Sequence, residues 1–392
     1  DGAREEAGVE SEDILSLSFA ANPVMHHILL GLDPVPLGAA PFALGVSSGL
    51  DLRAQEIEVD SVNKGARIYV LPCIAGHVGA DAAAMVLSEA PYLRDDISLL
   101  IDVGTNAEIV LGNKKRLLAA SSPTGPAFEG AQISHGQRAA PGAVERVRID
   151  RDTLEPRFKV IGCNLWSDEP GFAKSVADTG ITGICGSGII EAIGEMFLAR
   201  ILTSDGKIDG EMAQRTDRVI EQGRVYGFVL HRGEIPVIIS QADVRAIQLA
   251  KAALHAGVRL LMDRLGVETV DRIVLAGAFG SYIDARYAML LGMIPDCDPD
   301  RVSPAGNTAG TGARIALLNR QARLEIEKVV KGIEKIEIAV EADFQEYFVR
   351  AMAIPNETES HTCLRKVFEL PPAVAKPPAS HRRRGQRDAD ST

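Results

Sequence analysis

The order of apolar and polar residues predicts an α/β protein over most of the chain. Residues 11–31, SEDILSLSFAANPVMHHILLG, begin with the alternation of a strand and continue as a helix that starts near Asn22 and Pro23. Asparagine before proline is typical of a helix N-cap and first helical position. Residues 32–66 are rich in proline and glycine, which predicts a loop with little regular structure. From residue 67 onward strands alternate with helices, which indicates an α/β domain.

The stretch LLIDVGTNAEIVLG, residues 99–112, predicts two antiparallel strands joined by a hairpin. Asp102 ends the first strand, and Gly104, Thr105 and Asn106 form the turn. Glycine lets a ligand approach the backbone closely, and successive N–H groups in such a corner make an anion-binding concavity. Asp102 would repel a phosphate, but it could hold Mg²⁺ through a water. The alternatives are an ordinary structural turn and a phosphate loop.

The neighbouring motifs favour the phosphate loop. Upstream, RIYVLPCIAGHVGADAAAMVLSEA predicts a strand, a glycine-rich turn and a helix that starts near Asp81. Downstream, SSPTGPAFEGAQI places Gly125 and Gly130 in a loop after the hairpin. Much later an apolar strand breaks into a motif of four small or aromatic residues: Gly277, Ala278, Phe279 and Gly280. These glycines permit either a flat ring against the backbone or tight helix–strand packing.

Composition excludes several classes of protein. The 392 residues carry a net charge of −11, which argues against binding a nucleic-acid backbone through bulk charge. The acidic first residues exclude a signal peptide beginning there, and no apolar run approaches the roughly 18 residues that span a bilayer. We therefore expect a cytoplasmic protein. The five cysteines form no CxxC pair, so we expect buried thiols rather than a zinc or iron–sulfur site: Cys73, Cys163, Cys185, Cys297 and Cys363.

Several other patterns favour packing over chemistry. His26 and His27 point to different faces of their helix, so we expect a helix surface and a packing contact rather than a metal site. In GICGSGII, Gly186 and Gly188 precede an apolar helix, where close packing with Cys185 buried is favoured over anion binding. Residues 306–318, GNTAGTGARIALL, are interpreted as a loop into a helix with a small-residue packing face. Residues 371–392 are expected to be disordered.

Taken together, these motifs resemble the actin, sugar-kinase and heat-shock-chaperone ATPase superfamily. The sequences of the motifs are most similar to those of one branch, the ATP-dependent reductive activators of corrinoid proteins. The resemblance covers about residues 14 to 355, and the motifs that carry it are NPVMHHILLGLDP, LLIDVGTNAEIVLG, GPAFEGA, GICGSGII, LAGAFGSYID and GMIPD.

The resemblance implies two ribonuclease-H-like lobes, each with a phosphate hairpin. No first hairpin precedes residue 99, so we expect the first lobe to be incomplete and residue 1 to be an internal boundary of a longer protein. The expected divisions are 1–66 for the remainder of the first lobe and 67–320 for the second lobe. Residues 321–370 would form a strand and helix that pack on the lobes, and 371–392 the tail.

The resemblance also implies the ligands and the site residues. ATP and Mg²⁺ are the expected ligands, and a 2Fe–2S cluster is expected only in an N-terminal domain absent from this chain. Asp81 would position the attacking water, and Asp102 would hold Mg²⁺ through water. Phosphate would lie at the hairpin turn and the loop with Gly125 and Gly130, and adenosine at residues 277–280.

The implied function is the reduction of Co(II) corrinoid to Co(I) in corrinoid-dependent methyl transfer, driven by nucleotide binding and hydrolysis. The expected partner is a corrinoid protein, without nucleic acid or membrane. The oligomeric state is left open, with a homodimer as one alternative. Two other functions remain open at this point. One is a docking module that binds the corrinoid protein without hydrolysis, and the other is a small-molecule kinase of the same superfamily.

Overall fold

A computed structural model describes residues 2–372, without the side chains of Ala3, Ala278, Phe279 and Ser281. The strands of this part are β1 Ser16–Phe19, β2 Leu50–Arg53, β3 Arg67–Val70, β4 Ser98–Val103, β5 Ala107–Asn113, β6 Arg116–Ser122, β7 Ala143–Ile149, β8 Pro156–Val160, β9 Gly183–Ile184, β10 Val219–Gln222, β11 Val225–His231, β12 Val237–Ser240, β13 Arg272–Ala276, β14 Val302–Gly306 and β15 Glu334–Lys335. The helices are α1 Gly2–Ala7, α2 Pro23–Leu29, α3 Ala80–Glu89, α4 Phe172–Ser175, α5 Gly186–Leu198, α6 Gln241–Leu265, α7 Gly277–Tyr282, α8 Ala285–Leu291, α9 Thr308–Leu318, α10 Arg320–Gly332, α11 Phe344–Ala351 and α12 Leu364–Val367. From residue 373 on, the expected disordered tail lies outside the described residues.

The first sheet is formed by β1, β3 and β2, with β1 parallel and β2 antiparallel to the central β3. The predicted strand and helix within 11–31 are confirmed, and the Asn22 side chain caps α2 by accepting from the Met25 N–H at 2.9 Å. The loop prediction for 32–66 is wrong at β2, because Leu50–Arg53 completes its hydrogen bonds on β3. Sheet pairing thus joins residues 67–70 to the preceding segment.

The helix-surface prediction for the two histidines is wrong. His26 and His27 are both buried. His27 makes two backbone hydrogen bonds, through Nδ1 with the Pro23 carbonyl at 2.9 Å and through Nε2 with the Gly45 N–H at 2.8 Å. The loop that carries Gly45 covers the helix face that the periodicity left open, and the histidine side chain ties the loop to α2.

The central sheet has six strands in the order β14-β13-β4-β5-β6-β15. β14, β13 and β4 are parallel, and β4, β5 and β6 follow as antiparallel neighbours. Both faces of β4 are buried, because Leu99 and Ile101 join a core with α5 and α6 while Leu100 joins a second core with α3. The parallel strands therefore end at one edge, which brings the residues after β4, β13 and β14 together. The α/β class predicted from the sequence is confirmed.

Helix α9 packs directly on α3. A Cβ on Gly312 would lie 2.0 Å from the carbonyl oxygen of Ala84, so only glycine permits this approach. The same reasoning applies to α5, where a Cβ on Gly188 would lie 2.2 Å from the Val144 carbonyl oxygen. The packing interpretations of residues 306–318 and of GICGSGII are confirmed, and Cys185 is buried with its Sγ 3.3 Å from the same Val144 oxygen.

The C-terminal part of the described chain is held to α6 by buried polar side chains. Lys251 is 1% exposed, and its Nζ donates to the carbonyls of Ala351 at 2.6 Å and Ala353 at 2.5 Å. One turn further along α6, His255 lies with its Nε2 at 2.6 Å from the Thr358 Oγ1. No acidic side chain of residues 2–372 lies within salt-bridge distance of Lys251. Burial therefore lowers the pKa of Lys251 to about 7.

This buried lysine predicts a pH dependence of stability. An unfolded lysine keeps a pKa near about 10.4, so above about pH 7 the unfolded state binds a proton that the folded state has released. The contribution of Lys251 to the free energy of unfolding is expected to rise between about pH 7 and pH 8.5, by up to about 1.4 kcal/mol per pH unit. Urea unfolding across this window should show a flatter slope for Lys251→Met. The exposed Lys328→Met should retain the parent slope, and equal slopes for all three proteins would contradict the assignment.

Among the described residues, no helix combines the length and the apolar character needed to cross a membrane. Four of the five cysteines are buried as predicted, and Cys363 is half-buried.

Candidate functional site

The hairpin predicted at residues 99–112 is present. β4 and β5 pair down to Val103 and Ala107, and residues 104–106 form the turn. The Gly104 N–H donates to the Asn106 carbonyl at 2.9 Å, while the Thr124 hydroxyl lies 3.1 Å from the Gly104 carbonyl. These bonds hold the turn in shape and leave the side chains of Thr105 and Asn106 exposed.

The loop with Gly125 and Gly130 lies over this turn. The Thr105 hydroxyl donates to Glu129 Oε1 at 3.1 Å, which links the two loops. Gly125 has φ +70° and open space where a Cβ would stand. Gly130 has φ +84°, and a Cβ there would lie 2.5 Å from the Gln137 carbonyl oxygen. Gly125 therefore has open space beside it, whereas the side of Gly130 that would carry a Cβ is closed by the chain itself.

Gly277 lies beside Asp102. β13 pairs with β4 so that Ala276 is opposite Asp102, and α7 begins at the next residue. Gly277 has φ +77°, and a Cβ there would stand 2.6 Å from Asp102 Oδ1. Gly280 instead packs on the sheet, because a Cβ would lie 2.7 Å from the backbone carbon of Leu275. The packing alternative therefore applies to Gly280, while the alternative of a ligand against the backbone remains for Gly277. Ala278 and Phe279 lie in α7, with side chains outside the described part.

Asp81 is the second residue of α3, as predicted. The start of the helix is tied to the end of the first sheet, since the N–H groups of Ala80 and Asp81 lie 3.0 and 3.3 Å from the Ala21 carbonyl. Asp81 Oδ1 accepts from the Ala82 N–H at 2.8 Å. A Cβ on Gly79 would meet the same oxygen at 2.6 Å, so the glycine leaves room for the carboxylate.

Glu108 is a site residue that the sequence analysis missed. It pairs with Asp102 across the hairpin, and the Ser121 hydroxyl lies 3.5 Å from its Oε1. The available signal was the turn length. A three-residue turn between Val103 and Ala107 places residue 108 opposite residue 102, so the alternating strand puts both carboxyl groups on one face.

Three carboxyl groups in this cleft disfavour one another's charge. Burial, and then the charge of Asp81, raise the pKa of Asp102 to about 6. Burial, followed by the charges of Asp81 and Asp102, raises the pKa of Glu108 to about 8. The hydrogen bond with the Ser121 side chain acts in the opposite direction and lowers this pKa. Burial also raises the pKa of Asp81, which the Ala82 N–H partly opposes. A cation near these groups would favour their ionised forms.

The cluster fits a hydrated magnesium ion better than a directly bound metal. Within residues 2–372, no three His, Cys, Asp or Glu side chains converge as direct ligands. Mg²⁺ retains several of its waters and is commonly held through one or two carboxylates together with phosphate oxygens. Carboxyl oxygens beside a turn with the exposed residues Thr105 and Asn106 fit that kind of binding. Asp102 and Glu108 are the residues that would hold such an ion through water.

The raised pKa values predict how the ligand-free protein responds to pH. Between about pH 5 and pH 8 the folded state retains protons on Asp102 and Glu108 that the unfolded state has lost, so their contribution to stability falls as pH rises. Glu108→Gln should remove part of this loss and be more stable than the parent at pH 8, by on the order of 2 kcal/mol. Urea unfolding at both ends of the window measures this. The exposed Glu221→Gln is the control, and a Glu108→Gln slope equal to the parent's would refute the cluster.

Comparisons with known proteins identify the family of the chain. Residues 96–363 match the family model described as the C-terminal domain of RACo, the ASKHA domain, and residues 1–90 match the RACo middle region. ASKHA is a nucleotide-binding fold, which implies ATP and a metal ion as its ligands.

Three relatives extend the comparison. The chain is 33% identical over 356 residues to the corrinoid activation enzyme RamQ of Eubacterium limosum, covering 88% of this chain and 56% of that protein. It is 26% identical over 331 residues to a [Co(II) methylated amine-specific corrinoid protein] reductase of Methanosarcina barkeri, covering 81% and 58%. A solved reductive activator for a corrinoid, iron–sulfur protein superposes with TM-score 0.78 and 33% identity, covering 91% of this chain and 55% of that one.

The chain thus spans a little more than half the length of the relatives it matches. The expected membership of the actin, sugar-kinase and heat-shock ATPase superfamily is confirmed, as is the resemblance to reductive activators of corrinoid proteins. Because the ASKHA model alone matches more than half of the 392 residues, the chain belongs to the RACo family and carries its middle region and C-terminal ASKHA domain.

Proposed function

We propose that this chain is the nucleotide-binding portion of an ATP-dependent activator that returns Co(II) corrinoid to Co(I) during corrinoid-dependent methyl transfer. The observation that carries the proposal is the carboxyl cluster at the hairpin, where Asp102 and Glu108 lie beside a turn with exposed residues Thr105 and Asn106. The names of the relatives, which act on corrinoid proteins, support the choice of substrate.

The chemistry of the proposal balances as a single electron transfer. A 2Fe–2S cluster, expected in an N-terminal domain outside this chain, would supply the one electron that converts Co(II), the substrate, into Co(I). ATP hydrolysis to ADP and phosphate supplies the free energy for this uphill step. Nucleotide can do so only by favouring one conformation of the activator–corrinoid complex, within the limit set by its differential affinity for the two states.

The side chains have distinct proposed roles. Asp102, with Glu108 behind it, holds hydrated Mg²⁺ and so neutralises the phosphate charge that the carboxylates alone would repel. The N–H groups of Thr105 and Asn106 and the Asn106 side chain contact phosphate oxygens, and the Thr105 hydroxyl is held by Glu129. Asp81 lies at the start of α3 with its carboxyl group in the same electrostatic cluster, which suits positioning of the attacking water. Gly125 and residues 277–280 border the nucleotide, with Gly277 leaving room beside Asp102.

The test is the reduction of a Co(II) corrinoid protein by the full-length activator, followed by the Co(I) absorbance. With a chemical reductant, Co(I) should accumulate with Mg·ATP and not with a non-hydrolysable analogue. Accumulation that is equal without nucleotide would exclude coupling. Nucleotide-dependent capture of the corrinoid protein without ADP release would instead favour a docking module. A phosphorylated product from a sugar panel would favour a kinase.

A further inference from the structure

A second cleft lies away from the hairpin, between β8, α4 and the sheet of β10–β12. Its volume is about 560 Å³, within the range of small-molecule sites in proteins. The lining comes from three separate parts of the chain, residues 156–158, 167–181 and 218–232. None of them belongs to the carboxyl cluster, so nothing proposed above uses this cleft.

The floor of the cleft is aromatic and apolar. Phe158 lies between Phe172 and His231, with edge-to-face ring contacts at centroid distances of 6.0 and 5.6 Å. Leu230 and Val176 complete the floor, and both are buried. Burial, and then the charge of Arg218, lower the pKa of His231, so its ring is neutral at pH 7. A floor of this kind favours an aromatic or branched apolar body over a sugar or a phosphate chain.

The rim carries two guanidinium groups that are held in place by carboxylates outside the lining. Arg218 forms an ion pair with Glu155 at 2.6 Å, and Arg232 forms one with Asp217 at 2.6 Å. Arg232 is half-exposed and uses only Nη2 for its bonds to Asp217, which leaves Nε and Nη1 as donors. Asp168 is the acidic member of the lining, and it lies 3.8 Å from Arg157. The lining itself contains two arginines and one aspartate, and each arginine is paired with a carboxylate just outside it.

We propose that this cleft binds a small amphipathic anion, with an aromatic or branched apolar body on the Phe158 floor and an acidic group on Arg232. The assignment rests on the joint presence of an apolar floor of sufficient volume and a braced guanidinium at its edge. It does not depend on the proposed function, because the nucleotide is assigned to the hairpin and the cleft shares no residue with that site.

The test uses 8-anilinonaphthalene-1-sulfonate, an aromatic sulfonate that fluoresces in apolar sites, with the whole 392-residue chain. Trp166 is the single tryptophan and immediately precedes the lining residues Ser167 and Asp168. Energy transfer from Trp166 to the probe therefore reports binding in this region, and the lining variants below assign it to the cleft. Excess Mg·ATP should leave the transfer unchanged, which separates this cleft from the nucleotide site.

Three variants decide the outcome. Arg232→Gln should weaken the probe about tenfold, the loss of one charge-assisted contact. Ala173→Phe, at an exposed lining position, should fill the cleft and abolish the transfer. Arg224→Gln removes an exposed arginine outside the lining and should bind as the parent does. The neutral analogue N-phenyl-1-naphthylamine should bind more weakly and equally to parent and Arg232→Gln. No transfer from Trp166 in the parent, or equal probe affinity in all three variants, would overturn the proposal.

Discussion

Asp102→Asn is expected to reduce the affinity for Mg·ATP by on the order of 100-fold, the range reported for losing a group that holds a metal or stabilises charge. The variant keeps the size of the side chain and removes the charge that would hold the hydrated ion. With the pKa of Asp102 at about 6, the parent carries this charge at pH 7.5, so the comparison is made there. Calorimetric titration of the chain with Mg·ATP gives the affinity directly.

The matched control is Asp95→Asn, which makes the same change at an exposed carboxylate close to the start of β4. It should bind as the parent does. Thermal unfolding separates loss of binding from loss of fold. Ligand-free Asp102→Asn should be at least as stable as the parent, because it removes a disfavoured buried charge, but Mg·ATP should no longer raise its Tm. If Asp102→Asn bound Mg·ATP as tightly as the parent, the assignment of this corner would fail. If neither bound, the titration would be repeated with the full-length protein.

Gly312→Ala is expected to destabilise the protein by about 3 kcal/mol or more, at the upper end of overpacking effects. The added Cβ would meet the carbonyl oxygen of Ala84 at 2.0 Å and its carbonyl carbon at 2.5 Å. Both atoms are backbone, so no side-chain rotation can relieve the clash and α9 must move away from α3. Urea unfolding measures the loss. Because α3 carries Asp81 at its start, nucleotide binding should weaken with it.

Gly332→Ala is the control for this substitution. Gly332 ends α10, and a Cβ there would have no neighbour within 4 Å. Its effect should stay within about 1 kcal/mol, the difference in helix propensity between the two residues. A Gly312→Ala protein as stable as Gly332→Ala would mean that α9 and α3 do not approach as closely as described.

The division of the chain remains a proposal, with one physical indication against the expected boundary at residue 67. β3 forms its hydrogen bonds with β1 and β2 and not with the central sheet. The two family models leave residues 91–95 unmatched between them, which would keep β3 with its partners. The pattern at residue 67 marked the start of regular alternation, which is a local property, whereas sheet membership depends on which edge the strand reaches.

The sequence by itself determined the local parts of the site. The apolar runs around Asp102, the three-residue turn and the helix start at Asp81 follow from periodicity, turn chemistry and capping, which act over a few residues. The position of Glu108 also follows from the hairpin register, since strand alternation and turn length together place it opposite Asp102. This part could have been predicted and was not.

Only the tertiary structure decided which distant residues meet. Gly277 reaches Asp102 because β13 inserts beside β4 in register, and Lys251 reaches Ala351 because α11 folds back on α6. For Gly312, the sequence showed only the pattern of small residues in its helix. This pattern indicates close packing but does not identify α3 as the partner. Pairings of this kind are set by sheet order and by the competition of many buried contacts, and no short stretch of sequence records them. The raised pKa values and the aromatic cleft arise from the same pairings, because burial and proximity exist only once the distant segments have packed.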